Sequence, residues 1–236
     1  MIYLINIHSM EYAVKAYLNV NRNLIIPVGT CEQHGPHLPL NNDILCAEYF
    51  AQELSKATGC LIAPTINYGV NLPCDRAFAG TTSISKETLV KFVGEIVDWW
   101  RSQGFEMFFI ITFHGDPFHI EALSSISEDV HLIEPYEIDY SDILDKQTTM
   151  RHACEAETSV ALYLYPKKVK ILSMNESDIV FEDFRDYLFH EKSDTPKGYI
   201  GCLGYPKSAD AQKGKIIVER MKDRVFSEYL KYSPLP

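Results

Sequence analysis

The stretch LIIPVGTCEQHGPHLPLNNDILCAEYFAQELSKATG, residues 24–59, contains the pattern from which the fold is inferred. It begins with a short apolar run rich in β-branched residues, which indicates a buried strand. A polar turn follows and ends in Asn-Asn-Asp, residues 41–43, which are residue types that commonly cap helices. Beyond this turn one helical face is apolar until Gly59, through Ile44, Ala47, Phe50, Ala51 and Leu54. The stretch therefore predicts a strand, a polar turn and an amphipathic helix.

The same alternation of apolar runs and amphipathic segments recurs along the chain. It predicts strands at 60–66, 107–113 and 130–136, and helices at 86–101, from 117 onward, at 152–163 and at 209–229. Such alternation is typical of βαβ units, so we expect an α/β fold, a three-layer α/β/α sandwich with a mostly parallel central sheet. We expect residues 1–236 to form a single domain. Residues 167–200, charged and aromatic without clear periodicity, are interpreted as an excursion, a lid or an interface segment.

Composition excludes several classes of protein. Of the 236 residues 46% are hydrophobic, but no stretch approaches the roughly 18 uncharged apolar residues of a membrane helix. The N-terminal segment lacks a basic region followed by an apolar block, so we expect a cytoplasmic protein without a membrane partner. The net charge of -10 argues against nucleic acid as a partner. The six cysteines form no CxxC pair and are interpreted as reduced, mostly buried thiols.

Acidic and imidazole side chains follow two of the predicted strands. Glu32 and His34 lie two positions apart just beyond the first strand, and side chains at this spacing in an extended segment point the same way. His114 and Asp116 repeat the spacing beyond the third strand. Because ligands bind beyond the carboxyl ends of parallel strands, we expect both pairs at one edge of the sheet. Asp43, at the start of the first predicted helix, would lie close by.

These five residues offer two imidazoles and three carboxylates as ligands. Such a set suits Zn²⁺, Mn²⁺ or Fe²⁺, and it can hold two ions if one carboxylate bridges them. The absence of thiolates favours a catalytic site over a structural zinc site. Asp43 and Asp116 are also placed to cap helices. Because Pro117 favours a helix start, Asp116 is interpreted equally well as a helix cap or as a metal ligand.

Residues 27–43, PVGTCEQHGPHLPLNND, resemble the signature of the creatininase (creatinine amidohydrolase) superfamily, P-x-G-S-x-E-Q-H-G-P-H-L-P-L-x-x-D. Three later segments agree in order with that family: YGVNLPCDRAFAGTTSIS (68–85), RHACEAETS (151–159) and GCLGYPKSADAQKG (201–214). The resemblance implies a metal-dependent amidohydrolase with two divalent metal ions, acting on a small-molecule amide. It also implies a homo-oligomer, often a hexamer in this family.

The resemblance implies a role for each metal-ligating candidate. Glu32 and His114 would hold one ion and His34 the other. Asp43 would bridge the two ions. Asp116 stands where the family has a glutamate that often binds the second metal, so its shorter side chain matches this position only in part.

The family's remaining motifs imply further site residues. His152 corresponds to the histidine that moves protons at the scissile bond, and it would protonate the leaving nitrogen. Glu155 and Glu157 match two acids of the same segment. We assign them supporting positions rather than direct ligation, because acids are also favoured in the first turn of a helix. Gly80 and Thr81 match the family's Gly-Thr and are expected either to support the metal ligands or to lie near the substrate.

Several departures from the family pattern narrow the range of substrates that we expect. Residues 112–117 read TFHGDP where most members have N-G-H-G-G-N, and the histidine expected in segment 74–80 is absent. Creatininase carries tryptophans before the histidine that matches His152, whereas here the tryptophans are Trp99 and Trp100. We therefore expect a cyclic or non-peptide amide or formamide other than creatinine. The altered loop leaves one alternative open, a degenerate member that binds a ligand or partner without catalysis. A cysteine nucleophile is disfavoured, because residues adjacent in sequence rarely face each other.

Overall fold

The computed structural model describes residues 11–174, 195 and 198–233. Its centre is a four-stranded parallel sheet in the order β2-β1-β3-β4. The strands are β1 (Asn23–Val28), β2 (Leu61–Ile62), β3 (Met107–Thr112) and β4 (Val130–Ile133). β1 and β3 pair along their full lengths, from Asn23 opposite Met107 to Val28 opposite Thr112. The loops that leave these two strands therefore begin side by side.

Helices cover both faces of this sheet. They are α1 (Glu11–Leu18), α2 (Asn42–Thr58), α3 (Lys86–Ser102), α4 (Pro117–Ser124), α5 (Glu155–Leu164) and α6 (Ala211–Leu230). Because successive strand side chains alternate between faces, Ile25 packs with α2, α5 and α6, while Leu24 and Ile26 pack with α1, α3 and α4. The predicted three-layer α/β/α sandwich with a parallel central sheet is confirmed.

The boundaries of several elements differ from the sequence prediction. β2 has two residues, and only an isolated bridge between Val28 and Ile66 continues its pairing. β4 ends before Pro135, which cannot donate a ladder hydrogen bond. α1 was not predicted. α5 begins at Glu155 rather than at 152, so that His152 lies in the loop before the helix.

The helix caps explain where the main elements begin. Ser85 caps α3 by accepting a hydrogen bond from the Thr88 backbone amide, as the sequence predicts. At α2 the capping residue is Asn41, which makes no side-chain bond, so the Asp43 carboxylate does not serve as the cap. Of the segment 167–200, residues 175–194 and 196–197 lie outside the described residues, and its interpretation stays a prediction.

Two further features follow the expectations from composition. All six cysteines are free, and all but Cys31 are buried. Within the described residues, no helix is both long and apolar enough to span a bilayer.

Candidate metal centre

The loops after β1 and β3 bring a first group of ligand atoms together at the carboxyl edge of the sheet. His114 Nδ1 lies 3.1 Å from Glu32 Oε2 and 3.2 Å from Asp43 Oδ2. All three side chains are buried. The loops after β1 and β3 therefore lie side by side as expected, and Asp43 contacts both from the first turn of α2.

A second group lies on the other side of Asp43. His34 Nε2 is 3.0 Å from Asp43 Oδ1 and 3.3 Å from Glu157 Oε1. Within each group the ligand atoms lie within 4.8 Å of one another. Asp43 thus belongs to both groups, one oxygen in each, which is the arrangement that a carboxylate bridging two ions requires.

Backbone carbonyls fix the proton positions on both histidines. His114 Nε2 lies 2.8 Å from the Val70 carbonyl oxygen, and His34 Nδ1 lies 3.1 Å from the Glu32 carbonyl oxygen. A carbonyl oxygen only accepts, so each of these nitrogens carries the hydrogen. In the neutral imidazoles the remaining nitrogens, His114 Nδ1 and His34 Nε2, then present lone pairs to carboxylates. Lone pairs that face carboxylates need a cation between them, either a proton or a metal ion.

The pKa values of the site follow from this arrangement. Burial alone lowers the pKa of His34, but Asp43 and Glu157 raise it well above the usual value. Burial likewise lowers the pKa of His114, and Glu32 and Asp43 raise it well above the usual value. Burial favours protonation of Asp43, yet the two histidines hold its pKa below the usual range. The cluster therefore attracts positive charge strongly.

The residues present fit divalent metal ions. Glu32 Oε2 and Asp43 Oδ2 are buried and have no hydrogen-bond partner among the described residues. A buried carboxylate oxygen without a partner costs roughly 1–3 kcal/mol or more. Coordination to a cation satisfies both oxygens, and the mixed imidazole and carboxylate set suits Zn²⁺, Mn²⁺ or Fe²⁺.

Glu157 is the ligand candidate that the sequence analysis placed only in a supporting position. Its Oε1 accepts a hydrogen bond from Asn42 Nδ2 at 2.7 Å, and its Oε2 accepts one from the Ala153 backbone amide. Ala153 has φ +50°, a conformation that is uncommon for a non-glycine residue. These contacts hold the carboxylate toward His34.

Glu155, two residues earlier, does not reach the site. It is fully buried and lies 2.6 Å from Lys213 Nζ, and it accepts a hydrogen bond from the Asp145 backbone amide at 3.1 Å. It joins α5 to α6 and to the loop before α5. The structure therefore places only one of the two acids of this segment in the cluster.

Asp116 acts as the helix cap of α4. Its Oδ1 accepts hydrogen bonds from the Phe118 and His119 backbone amides at 2.7 and 3.1 Å. Its Oδ2 is buried without a hydrogen-bond partner, and burial raises the pKa of Asp116 to about 6. Among the described residues Asp116 belongs to neither ligand group, although it lines the same cavity.

His152 lies beside the cluster in the loop before α5. Its Nε2 lies 2.8 Å from the Gln33 carbonyl oxygen, which accepts, and 2.9 Å from Gln33 Nε2, which donates, so Gln33 holds this edge of the ring. Its Nδ1 lies 3.8 Å from Glu32 Oε2, and its ring centre lies 4.5 Å from that of His34. Nδ1 is therefore the ring nitrogen that faces the ligand groups.

Gly80 and Thr81 support the loop that carries Glu32 rather than lining the cavity. Thr81 Oγ1 accepts a hydrogen bond from the Gln33 backbone amide at 2.9 Å. Gly80 has φ +96° and accepts a hydrogen bond from Cys31 Sγ through its carbonyl oxygen at 3.3 Å. Their expected proximity to substrate stays a prediction.

A cavity of about 200 Å³ opens onto both ligand groups. Its wall combines apolar and aromatic side chains with polar ones, including Leu72, Phe113, Tyr136, Met150, Asp75 and Tyr199. Sequence reasoning did not select Asp75, although a signal was available, because Asp75 occupies the position of the absent family histidine in segment 74–80.

A three-layer α/β/α fold with a carboxylate shared between two ligand groups is the architecture of a metal-dependent hydrolase. The chain belongs to the creatininase family, because residues 8–228 match the family model described as creatinine amidohydrolase. Enzymes of this family are hydrolases of C–N bonds.

Two relatives from different organisms show the range of the family. The mycofactocin precursor peptide peptidase of Mycobacterium ulcerans is 28% identical over 225 residues, covering 91% of this chain and 87% of the relative. The 3-dehydro-scyllo-inosose hydrolase of Thermotoga maritima is 27% identical over 157 residues, covering 61% of this chain. That match spans only 50% of the Thermotoga protein.

Solved structures agree with the fold. A crystal structure of creatinine amidohydrolase (creatininase) superposes with a TM-score of 0.81 at 20% identity, covering 100% of this chain and 99% of the other. A creatininase with manganese and a mutant creatininase of Zn-Zn type each superpose with a TM-score of 0.79. Together with the ligand groups, these structures support the use of divalent metal ions. Oligomeric state and cytoplasmic location stay predictions.

Proposed function

We propose that this chain is a metal-dependent amidohydrolase with a binuclear centre, which cleaves a non-peptide or cyclic C–N bond of a small amide or formamide. The observation that carries the proposal is the position of Asp43. Its two oxygens face His34 Nε2 and His114 Nδ1, at 3.0 and 3.2 Å, and both nitrogens are held as lone-pair donors. One carboxylate between two such nitrogens is the core of a two-ion site.

Three side chains would hold each ion. Glu32, Asp43 and His114 form the first group, and His34, Asp43 and Glu157 form the second. Three protein ligands leave positions free for water and substrate, as catalytic rather than structural metal sites do. Bound divalent ions would supply a water of lowered pKa and Lewis-acid polarisation of the substrate carbonyl.

His152 is the residue proposed to move protons. The contacts of its Nε2 with Gln33 fix the ring so that Nδ1 faces the ligand groups. Nδ1 then takes a proton from the attacking water and returns it to the leaving nitrogen, so that one side chain acts first as base and then as acid.

Asp116 is proposed to act on substrate rather than on a metal ion. Its Oδ1 is occupied by two backbone amides of α4, whereas Oδ2 is buried at the cavity without a partner. An oxygen in this position is placed to accept a hydrogen bond from a substrate N–H.

Creatinine is not the proposed substrate. Creatininase has tryptophans just before the histidine that matches His152, and this chain has Thr148, Thr149 and Met150 there. Trp99 and Trp100 lie in α3, which packs on the sheet face opposite α5. The cavity is therefore closed by different side chains, which include Met150 and Tyr136.

Metal analysis of the purified protein tests the proposal most directly. We expect two equivalents of Zn, Mn or Fe per chain, and turnover of a small amide that stops on chelation and returns on reloading. H114A is expected to lose metal and turnover together. H131A, on β4 and outside the cavity, is the matched control and is expected to keep both. Full turnover by chelated H114A would exclude the proposed function.

A further inference from the structure

Asp75 is a cavity residue that neither the metal groups nor the proton transfer employs. It is 2% exposed and lines the same cavity as the ligand groups. Among the described residues it belongs to no ligand group of three. Its backbone lies in a single 3₁₀ turn, Asp75–Ala77, where the family pattern has a histidine. At this position the chain presents a carboxylate, rather than an imidazole, to the cavity.

Two buried side chains hold the Asp75 carboxylate in a fixed orientation. Gln33 Nε2 donates to Oδ1 at 2.7 Å, and the Tyr199 hydroxyl donates to the same oxygen at 2.8 Å. The Cys74 thiol lies 3.7 Å from Oδ2 and is a weak donor. One oxygen is therefore well satisfied by neutral donors, while the other lacks a strong donor.

The carboxylate has no positive partner in the described protein. No lysine or arginine of that part of the chain forms an ion pair with Asp75, and the positive charge that lowers its pKa comes from His152. Burial and the neighbouring Glu32 raise the pKa of Asp75 above its usual value. A buried carboxylate of this kind gains from any cation that enters the cavity.

The charge of the cavity as a whole favours the same class of ligand. Its lining includes six carboxylates and a single guanidinium, that of Arg151. Two divalent ions would leave the cavity with a negative charge in excess. A volume of about 200 Å³ accommodates only a small molecule, so a cationic group on the substrate must lie close to the amide that reaches the ligand groups.

We propose that Asp75 is a specificity-determining residue that binds a cationic amine of the substrate, adjacent to the amide that is cleaved. This inference rests on the proposed hydrolase function for the identity of the reaction, but not for the recognition of the cation. The substrate class is therefore a small amide with a free ammonium group, such as an amino-acid amide, rather than a neutral cyclic amide.

A binding experiment tests the recognition separately from catalysis. Zinc-loaded protein is titrated calorimetrically with L-alaninamide and with N-acetyl-L-alaninamide, which lacks the positive charge. The wild type is expected to bind the cationic amide about 10- to 100-fold more tightly, as for a hydrogen bond to a charged group. D75N keeps an acceptor for Gln33 and Tyr199 and is expected to lose that preference while retaining its zinc.

The matched control is E137Q, because Glu137 lines the same cavity but is exposed to solvent. Solvent screens the charge of Glu137, so E137Q is expected to keep the preference for the cationic amide. If D75N fails to fold, D75S, which leaves space for a water beside Gln33 and Tyr199, provides the same comparison.

Three results would overturn the inference: no cation preference in the wild type, a preference retained in D75N, or loss of zinc from D75N. Ammonia release from both amides is measured in parallel. A purely positioning role for Asp75 would lower kcat for both amides equally. Binding preference without any ammonia release would contradict the proposed hydrolase function and leave the recognition by Asp75 supported.

Discussion

Glu157 Oε1 lies 3.3 Å from His34 Nε2, although Glu157 lies in the first turn of α5 and His34 follows β1. This contact completes the second ligand group, and it predicts a separable effect on the two ions. E157Q keeps the size of the side chain but removes the charge. We expect it to bind one equivalent of metal instead of two, because Glu32, Asp43 and His114 are unchanged.

Glu155 provides the control for this prediction, since it is the same residue type two positions away in the same helix. E155Q weakens the ion pair with Lys213 and is expected to lower the free energy of unfolding by about 1–3 kcal/mol. It should keep two equivalents of metal. Equal metal loss in E155Q and E157Q, measured by elemental analysis of folded protein, would show that α5 is merely destabilised.

The contrast between these two acids shows how far the sequence determines the site. Glu32, His34 and His114 were predictable because they follow strands of one parallel sheet, and such strands end at one edge. Glu155 and Glu157 lie about 200° apart around a helix, so only one of them faces the cluster. Which one does depends on how α5 packs against α6, and no local pattern encodes that packing.

The fold was predictable for a similar reason. An uninterrupted apolar run predicts a buried strand such as β3, and apolar residues at helical spacing predict an amphipathic helix such as α3. The length of β2 was overestimated, because residues 60–66 are mostly apolar while only Leu61–Ile62 is strand. The start of α5 was predicted three residues too early, because the sequence does not reveal the left-handed conformation of Ala153 that precedes the helix.

Substitution of Asp116 separates capping from chemistry. Asn is as good a helix cap as Asp, so D116N should keep α4 and the metal content while turnover falls about 10- to 100-fold, the cost of one lost hydrogen bond to a charged group. D116A removes the cap as well and should cost about a further 1 kcal/mol of stability. Loss of one metal equivalent from D116N would instead identify Asp116 as a ligand, as the family resemblance implies.

His37 predicts a specific sensitivity to acid. It is fully buried, donates to or accepts from Thr158 Oγ1 at 2.9 Å, and burial together with His34 and His152 lowers its pKa to about 4. A group with a lowered folded-state pKa contributes stability above its unfolded pKa near 6.5, and that stability is lost as pH falls toward 4.

The expected loss from this histidine is about 2 kcal/mol between pH 7 and pH 5. Urea unfolding of H37Q and wild type at both pH values measures it, with chelator present so that metal release does not contribute. H37Q should lose about 2 kcal/mol less than the wild type over this interval. Parallel losses in the two proteins would show that His37 is not held neutral.

Two glycines in helices predict opposite effects of the same substitution. A Cβ on Gly214 of α6 would lie 1.9 Å from the Ser159 carbonyl oxygen of α5, whereas a Cβ on Gly94 of α3 meets nothing within 4 Å. G94A should stabilise the protein by about 0.4–1 kcal/mol, because alanine loses less backbone entropy in a helix. G214A must push α5 away from α6 and should destabilise the protein by at least about 1–3 kcal/mol.

Because α5 carries Glu157, G214A should also weaken binding of one metal ion. Thermal unfolding together with metal titration of the two variants measures both effects. A stable G214A protein with two tightly bound ions would show that the close approach of α5 and α6 does not position Glu157.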